Sequence, residues 1–218
     1  MKVPVLTTLL AQLETAGRPL EATSQQDATL AVEQSDNSAA EALFSQLEAS
    51  DGGLAEASQA VQQTLARAGD DGTQINTAAN GQGFTTWGQS EWSTTGEVAF
   101  YRSLANGCLL SSSGTAFVLG LMQRVESDQR WGAGTITARD GVPVAFKGGW
   151  GPDSDHGGRY LVRQSAISGS GDRGWVFSMI AAPSDGSFAT GAAMVSAIAR
   201  WVARTVPLDA RSAALGCS

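Results

Sequence analysis

Apolar positions recur at helical spacing through the first 127 residues and alternate in strand fashion further on. Val3, Leu6, Leu9, Leu10 and Leu13 share one face of a helix over residues 1–14. Pro4 fits only within a first turn, and Lys2 sets a positive charge at the positive end of the helix dipole. Such a helix is expected to begin a few residues earlier, with Lys2 already inside its first turn. Residues 18–26 read as a loop, after which Asp27 caps a short helix through Gln34. Ser38 and Glu41 have capping-box spacing and open a helix over 39–49, broken at Asp51-Gly52-Gly53. Leu54, Ala57, Val61 and Leu65 mark the next helix, which stops at Gly69. Residues 70–92 are irregular, with Trp87 and Trp92 as core anchors. A second capping box, Thr94 with Glu97, opens a helix to about Ala105. Another spans 115–127 with Val118, Leu121, Met122 and Val125 inward.

The period then changes. Val142, Val144 and Phe146 alternate, and 159–168 and 174–181 are rich in Val, Ile, Tyr, Trp and Phe. Residues 169–173 read as a hairpin turn between the latter two. A last helix over 187–205 turns Phe188, Ala192, Val195, Ile198 and Val202 inward. Helices followed by strands and one closing helix predict an α+β fold, an antiparallel sheet backed by helices beside an all-helical lobe. Three strands make a thin sheet that further strands, preceding residue 1, would complete. The expected organisation is one domain over 1–205, with the helical lobe at 1–127, sheet and final helix at 140–205, and a tail at 206–218.

Composition narrows the function. The chain has 218 residues, a net charge of −7 and only 16% charged residues. Its basic residues are scattered, which argues against nucleic acid as a partner, since phosphate recognition needs clustered Lys and Arg. No apolar run reaches the ~20 residues of a membrane span. The opening segment reads as an amphipathic helix rather than a signal peptide, because Thr7, Thr8 and Gln12 interrupt its apolar run, Glu14 closes it and no clean small-x-small cleavage site follows. Cys108 and Cys217 with a single histidine cannot build a zinc site, and no metal or cofactor is expected. The two cysteines either form one disulfide or stay free. The place of Cys217 in a fraying tail favours free thiols.

Three short motifs carry candidate chemistry. Lys2 heads the first helix. Ser35-Asp36-Asn37 lies between two helices, and Lys147-Gly148-Gly149-Trp150 ends the alternating run at Phe146. Each has an ordinary structural explanation: a residue beside the first methionine, a helix-junction turn, a strand ending in a glycine turn. Their order and context together resemble the three-part signature of penicillin-recognising serine hydrolases, including class A β-lactamases. Val3-Pro4-Val5 and Trp150 add to the likeness, which extends as an order of elements from residue 1 to about 205.

That resemblance implies a β-lactamase/transpeptidase-like fold lacking its N-terminal strands and an acyl-enzyme mechanism on β-lactams or related acyl and peptide substrates. The first motif of the family reads Ser-x-x-Lys, which places the nucleophilic serine two positions before Met1. Lys2 would accept its proton, Ser35 would pass it to the leaving nitrogen, and Asn37 would hold the substrate amide and the lysine. Asp36 would tie its loop to backbone N–H groups. Lys147 would attract a substrate carboxylate, Gly149 closes the motif, and the Trp150 N–H would complete the oxyanion hole. An extracytoplasmic monomer acting on a small-molecule β-lactam or cell-wall peptide is the family expectation.

Two departures stand out. Gly148 occupies the place of a Thr or Ser whose hydroxyl binds the substrate carboxylate. The loop at 70–92 has only Glu91 where class A enzymes carry a deacylating glutamate, and Glu91 reads as a surface residue. A non-catalytic binder of cell-wall peptides is therefore the competing reading, and the 218 residues alone are expected to be inactive. His156 reads as a solvated turn residue in 152–158. Arg159 and Arg163 read as strand-surface charges, with a carboxylate pocket as the alternative for one of them.

Overall fold

The computed structural model describes residues 1–78, 86–136, 144–153, 157–168, 174–205 and 217. Its helices are α1 (Lys2–Thr15), α2 (Ala22–Glu33), α3 (Asn37–Asp51), α4 (Leu54–Arg67), α5 (Thr94–Ala105), α6 (Ser112–Gln123) and α7 (Phe188–Thr205). Its strands are β1 (Ala145–Asp153), β2 (Arg159–Ser168) and β3 (Trp175–Ala181), antiparallel in the order β1-β2-β3. The predicted α+β class and its helical lobe are what the structure shows.

The first helix is not amphipathic. Every residue from Val3 to Leu10 is buried, because α2, α3, α4 and α6 pack around it. A helix apolar on all sides belongs in a core; of the two threonines within it, Thr8 bonds backwards along its own helix, whereas Thr7 Oγ1 is buried with no hydrogen-bond partner among the described residues. Thr8 Oγ1 donates to the Pro4 carbonyl at 2.9 Å and meets Thr64 Oγ1 at 2.9 Å. The start of α1, and with it Lys2, is thereby fixed in the middle of the lobe.

Several helix starts differ from expectation, and for α3, α5 and α6 a neighbouring side chain is the better cap. Helix α2 begins at Ala22, so residues 22–26 are helical rather than looped. Helix α3 is capped by Asp36, which accepts from the Ala39 N–H at 2.7 Å, and not by Ser38. Helix α5 is capped by Ser93, accepting from the Gly96 N–H at 3.0 Å, and not by Thr94. That leaves Glu97 free for a different partner. Helix α6 starts at Ser112 under a Ser111 cap and ends at Gln123.

Strand β1 runs through Lys147-Gly148-Gly149-Trp150 to Asp153, so the motif lies mid-strand rather than at a strand end. Tryptophan and the flanking chain can extend the ladder because the glycines impose no turn of their own here. Val142 and His156 lie outside the described residues. Lys147 pairs with Ser165 and Gly149 with Arg163 across β1 and β2; Ser165 in turn pairs with Ser178 and Arg163 with Ile180 across β2 and β3. Alternation sends these residues to the face covered by α5. The opposite face, with Phe146, Val162, Ala166 and Met179, packs with Val195 and Ala199 of α7 as a second core.

Cys108 and Cys217 form a disulfide. The expectation of free thiols fails because Cys217 is brought back to the end of α5 despite the intervening polar tail sequence. Among the described residues no helix is long and apolar enough to cross a membrane.

Candidate active site

Ser35 sits in the turn between α2 and α3 with φ of 58°, the only non-glycine described residue in the left-handed region. Such a conformation is uncommon outside Gly, Asn and Asp. Two features hold it. The Asp36 N–H donates to the Leu30 carbonyl at 3.0 Å on one side. On the other, the Asp36 side chain caps α3. The result turns the Ser35 hydroxyl toward the start of α1 and the middle of β1.

Two lysines converge on that hydroxyl. Lys147 Nζ donates to Ser35 Oγ at 2.8 Å and to the Gly148 carbonyl at 3.0 Å. Lys2 Nζ lies 3.3 Å from Ser35 Oγ and also donates to the Ser35 carbonyl. Burial pushes the Lys147 amine down to about 7, and the charge on Lys2 lowers it further. Burial likewise lowers Lys2 to about 8, with Asp36 opposing the change. Both amines can therefore shed a proton near neutral pH, as a general base must. The structure thus brings Lys2, Ser35 and Lys147 to one point. Asn37 is different: it is exposed at the first position of α3, and no hydrogen bond joins it to either lysine among the described residues.

Gly148 has a physical cause. A Cβ built there would lie 2.7 Å from two ring atoms of Trp131. Real side chains do not tolerate that distance, so the tryptophan fills the space that a Thr or Ser would occupy. Trp131 immediately precedes the 3-10 turn Gly132–Thr135, and its ring packs edge-on against Trp150 at 6.0 Å and Phe188 at 5.9 Å. Trp150 remains 38% exposed, with Lys147 Nζ 6.0 Å from its ring centroid. At Gly149 no such crowding exists; the nearest side-chain atom would be Arg163 Cγ at 3.4 Å.

A buried polar cluster underlies the site, and sequence reasoning missed it. Glu97 of α5, 4% exposed, pairs with Arg163 Nη2 at 2.8 Å and accepts from Ser165 Oγ at 2.8 Å and from Ser178 Oγ. Arg163 also donates to the Trp92 carbonyl. Arg163 is therefore a strut between sheet and helical lobe rather than a strand-surface charge. The clue available in sequence was Ser165 and Ser178 at positions that should be apolar on a buried sheet face.

The loop expected to hold a hydrolytic base is anchored as predicted by its tryptophans. Trp87 Nε1 donates to Glu41 Oε2 at 3.0 Å, and Trp92 Nε1 donates to the buried Asp70 at 2.7 Å. Glu91 is exposed, as its sequence context suggested.

Comparison with known proteins identifies the fold and the family. Among solved structures, the chain is similar to a class A β-lactamase from Mycobacterium abscessus (TM-score 0.71, 17% identity, covering 93% of this chain and 82% of that one). A class A β-lactamase representative from Bacteroides cellulosilyticus gives a TM-score of 0.70 at 16% identity, with 92% and 80% covered. The chromosome-encoded β-lactamase of Vibrio parahaemolyticus gives 0.68 at 15% identity, with 92% and 81% covered. These likenesses establish the fold. No curated protein matches the chain. The model of the β-lactamase enzyme family matches residues 11–166, which include Ser35 and Lys147. With a match of that extent over most of its length, the chain belongs to the β-lactamase enzyme family.

Proposed function

We propose that this protein is a serine hydrolase working through an acyl-enzyme on β-lactams or related acyl and peptide substrates, with its nucleophilic serine two positions before Met1. The observation that carries this reading is the Ser35 hydroxyl shared by buried Lys147 and half-buried Lys2, both of lowered pKa. A serine one helical turn before Lys2 stands on the same face of α1. Lys2, neutral in part near pH 8, takes the serine proton as the serine attacks the carbonyl. Ser35 then hands a proton to the leaving nitrogen and is resupplied through Lys147. The Trp150 N–H stabilises the oxyanion.

Hydrolysis of the ester is the slow step in this reading. Glu97 is the carboxylate buried beside the site, and Arg163, Ser165 and Ser178 already occupy its oxygens. A carboxylate so engaged is a poor base for water. The disulfide is at home in an oxidising compartment and supports an extracytoplasmic location.

The test is acylation of a chain extended upstream to restore Ser-x before Met1, followed with a fluorescent penicillin. A burst equal to one label per protein, then slow release, is expected, and Lys2→Ala should abolish the burst. The 218 residues alone should not label. Labelling of Ser35 in the unextended chain, found by mass spectrometry, contradicts the assigned roles. Rapid multiple turnover of the extended chain means that another group activates the water.

A further inference from the structure

Resting on the acyl-hydrolase reading, we infer that the exposed face of Trp150, backed by Trp131 and Phe188, is a binding platform for an uncharged aryl or apolar group of the substrate, at the point where the family resemblance implies a carboxylate.

Three observations carry it. Trp131 fills the space over Gly148, so no hydroxyl can stand there to hold a carboxylate oxygen. The remaining surface at that point is aromatic: Trp150 packs on Phe188 at 5.4 Å and on Trp131 at 6.0 Å, yet keeps 38% of its area open. Aromatic rings of this kind favour stacked or edge-on partners. Finally, Arg163 on the neighbouring strand turns Nη2 to Glu97 and to the Trp92 carbonyl, and its charge is paired there with the Glu97 carboxylate. Lys147 is the cation found beside Trp150, 6.0 Å from its ring centroid. Its hydrogen bonds go to Ser35 and the Gly148 carbonyl. Burial keeps it near half-protonation at neutral pH, which weakens its pull on an anion.

The platform selects between two ligands that differ only at this group. N-acetyl-D-alanine ends in a carboxylate, and N-acetyl-D-alanine anilide ends in a neutral aryl ring. Each is titrated into the full chain carrying 15N-labelled tryptophan, and the Trp150 indole signal, assigned with Trp150→Phe, reports binding. The anilide is expected to bind tighter by roughly three- to tenfold, the range that one aromatic contact supplies. Trp150→Ala should erase that advantage; this residue is partly exposed, so the variant folds. The double variant Trp131→Ala with Gly148→Ser rebuilds a hydroxyl and should turn the preference toward the carboxylate.

A tighter carboxylate, or an anilide advantage untouched by Trp150→Ala, overturns the platform and leaves the hydrolase reading standing on the acylation experiment. Failure of both ligands to move the Trp150 signal overturns the platform, and penicillin acylation of the extended chain then decides separately whether the hydrolase reading falls with it.

Discussion

Replacing Lys147 by methionine should stabilise the protein at neutral pH, and by an amount that depends on pH in a defined way. The amine is held at about 7 against an ordinary 10.5. Above about 10.5 the lysine is neutral in both the folded and unfolded chain, and it contributes nothing through protonation. Between about 7 and 10.5 the unfolded chain holds a proton that the folded one lacks, so stability climbs with pH. Below about 7 both forms are protonated, and the whole cost of burying the charge remains. At ~1.4 kcal/mol per pKa unit the penalty is about 5 kcal/mol at pH 6, about 4 at pH 7 and about 1 at pH 10. Methionine keeps the length and removes that penalty. It also loses the bonds to Ser35 Oγ and the Gly148 carbonyl, about 1 kcal/mol each. The net gain at pH 7 is about 2 kcal/mol, or a rise in Tm of about 4–8 °C for a chain of this size. Denaturant unfolding of both proteins from pH 6 to pH 10 gives the curve. The variant should be the more stable one below about pH 9 and the less stable one above. A difference that stays constant with pH, or a variant destabilised at pH 7, refutes the burial account of this lysine.

Other expectations concern the supports of the site. Glu97→Ala strands the largely buried Arg163 charge and should cost about 3–5 kcal/mol in denaturant unfolding; a second change, Arg163→Met, should recover part of it, and no recovery would separate the two residues. Gly148→Ser alone should lower stability by about 1–3 kcal/mol through contact with Trp131, and pairing it with Trp131→Ala should reduce that loss in the same assay. Reducing the bond between Cys108 and Cys217, separated by 109 positions, should lower stability by up to about 5 kcal/mol on loop-closure grounds, and a thermal melt unchanged by reductant argues against the bridge.

The helix order, the sheet composition and the convergence of three separated motifs were readable because periodicity and motif spacing are local properties of the chain. What escaped the sequence were choices between equivalent local options. Thr94 with Glu97 satisfies the capping-box pattern, yet Ser93 takes the cap, and only the sheet face opposite shows why Glu97 has other work. Ser165 and Ser178 become a carboxylate cradle through strand register, which no single segment encodes. The same holds for Gly148: its lack of a side chain looks like a missing function until Trp131, from a distant turn, is found in its place. The disulfide joins two cysteines whose surroundings say nothing of each other.

The backbone of Ser35 carries an evolutionary consequence. At φ of 58°, glycine is the residue that the backbone prefers, and a serine there is strained by about 1 kcal/mol or more. Mutational drift screened for folding alone would therefore tend to replace it. Variants selected only for solubility should accumulate Gly or Asn at position 35, whereas variants selected for acylation should keep the serine. Which residue each selection leaves at position 35 would therefore separate the demand of the backbone from the demand of the chemistry.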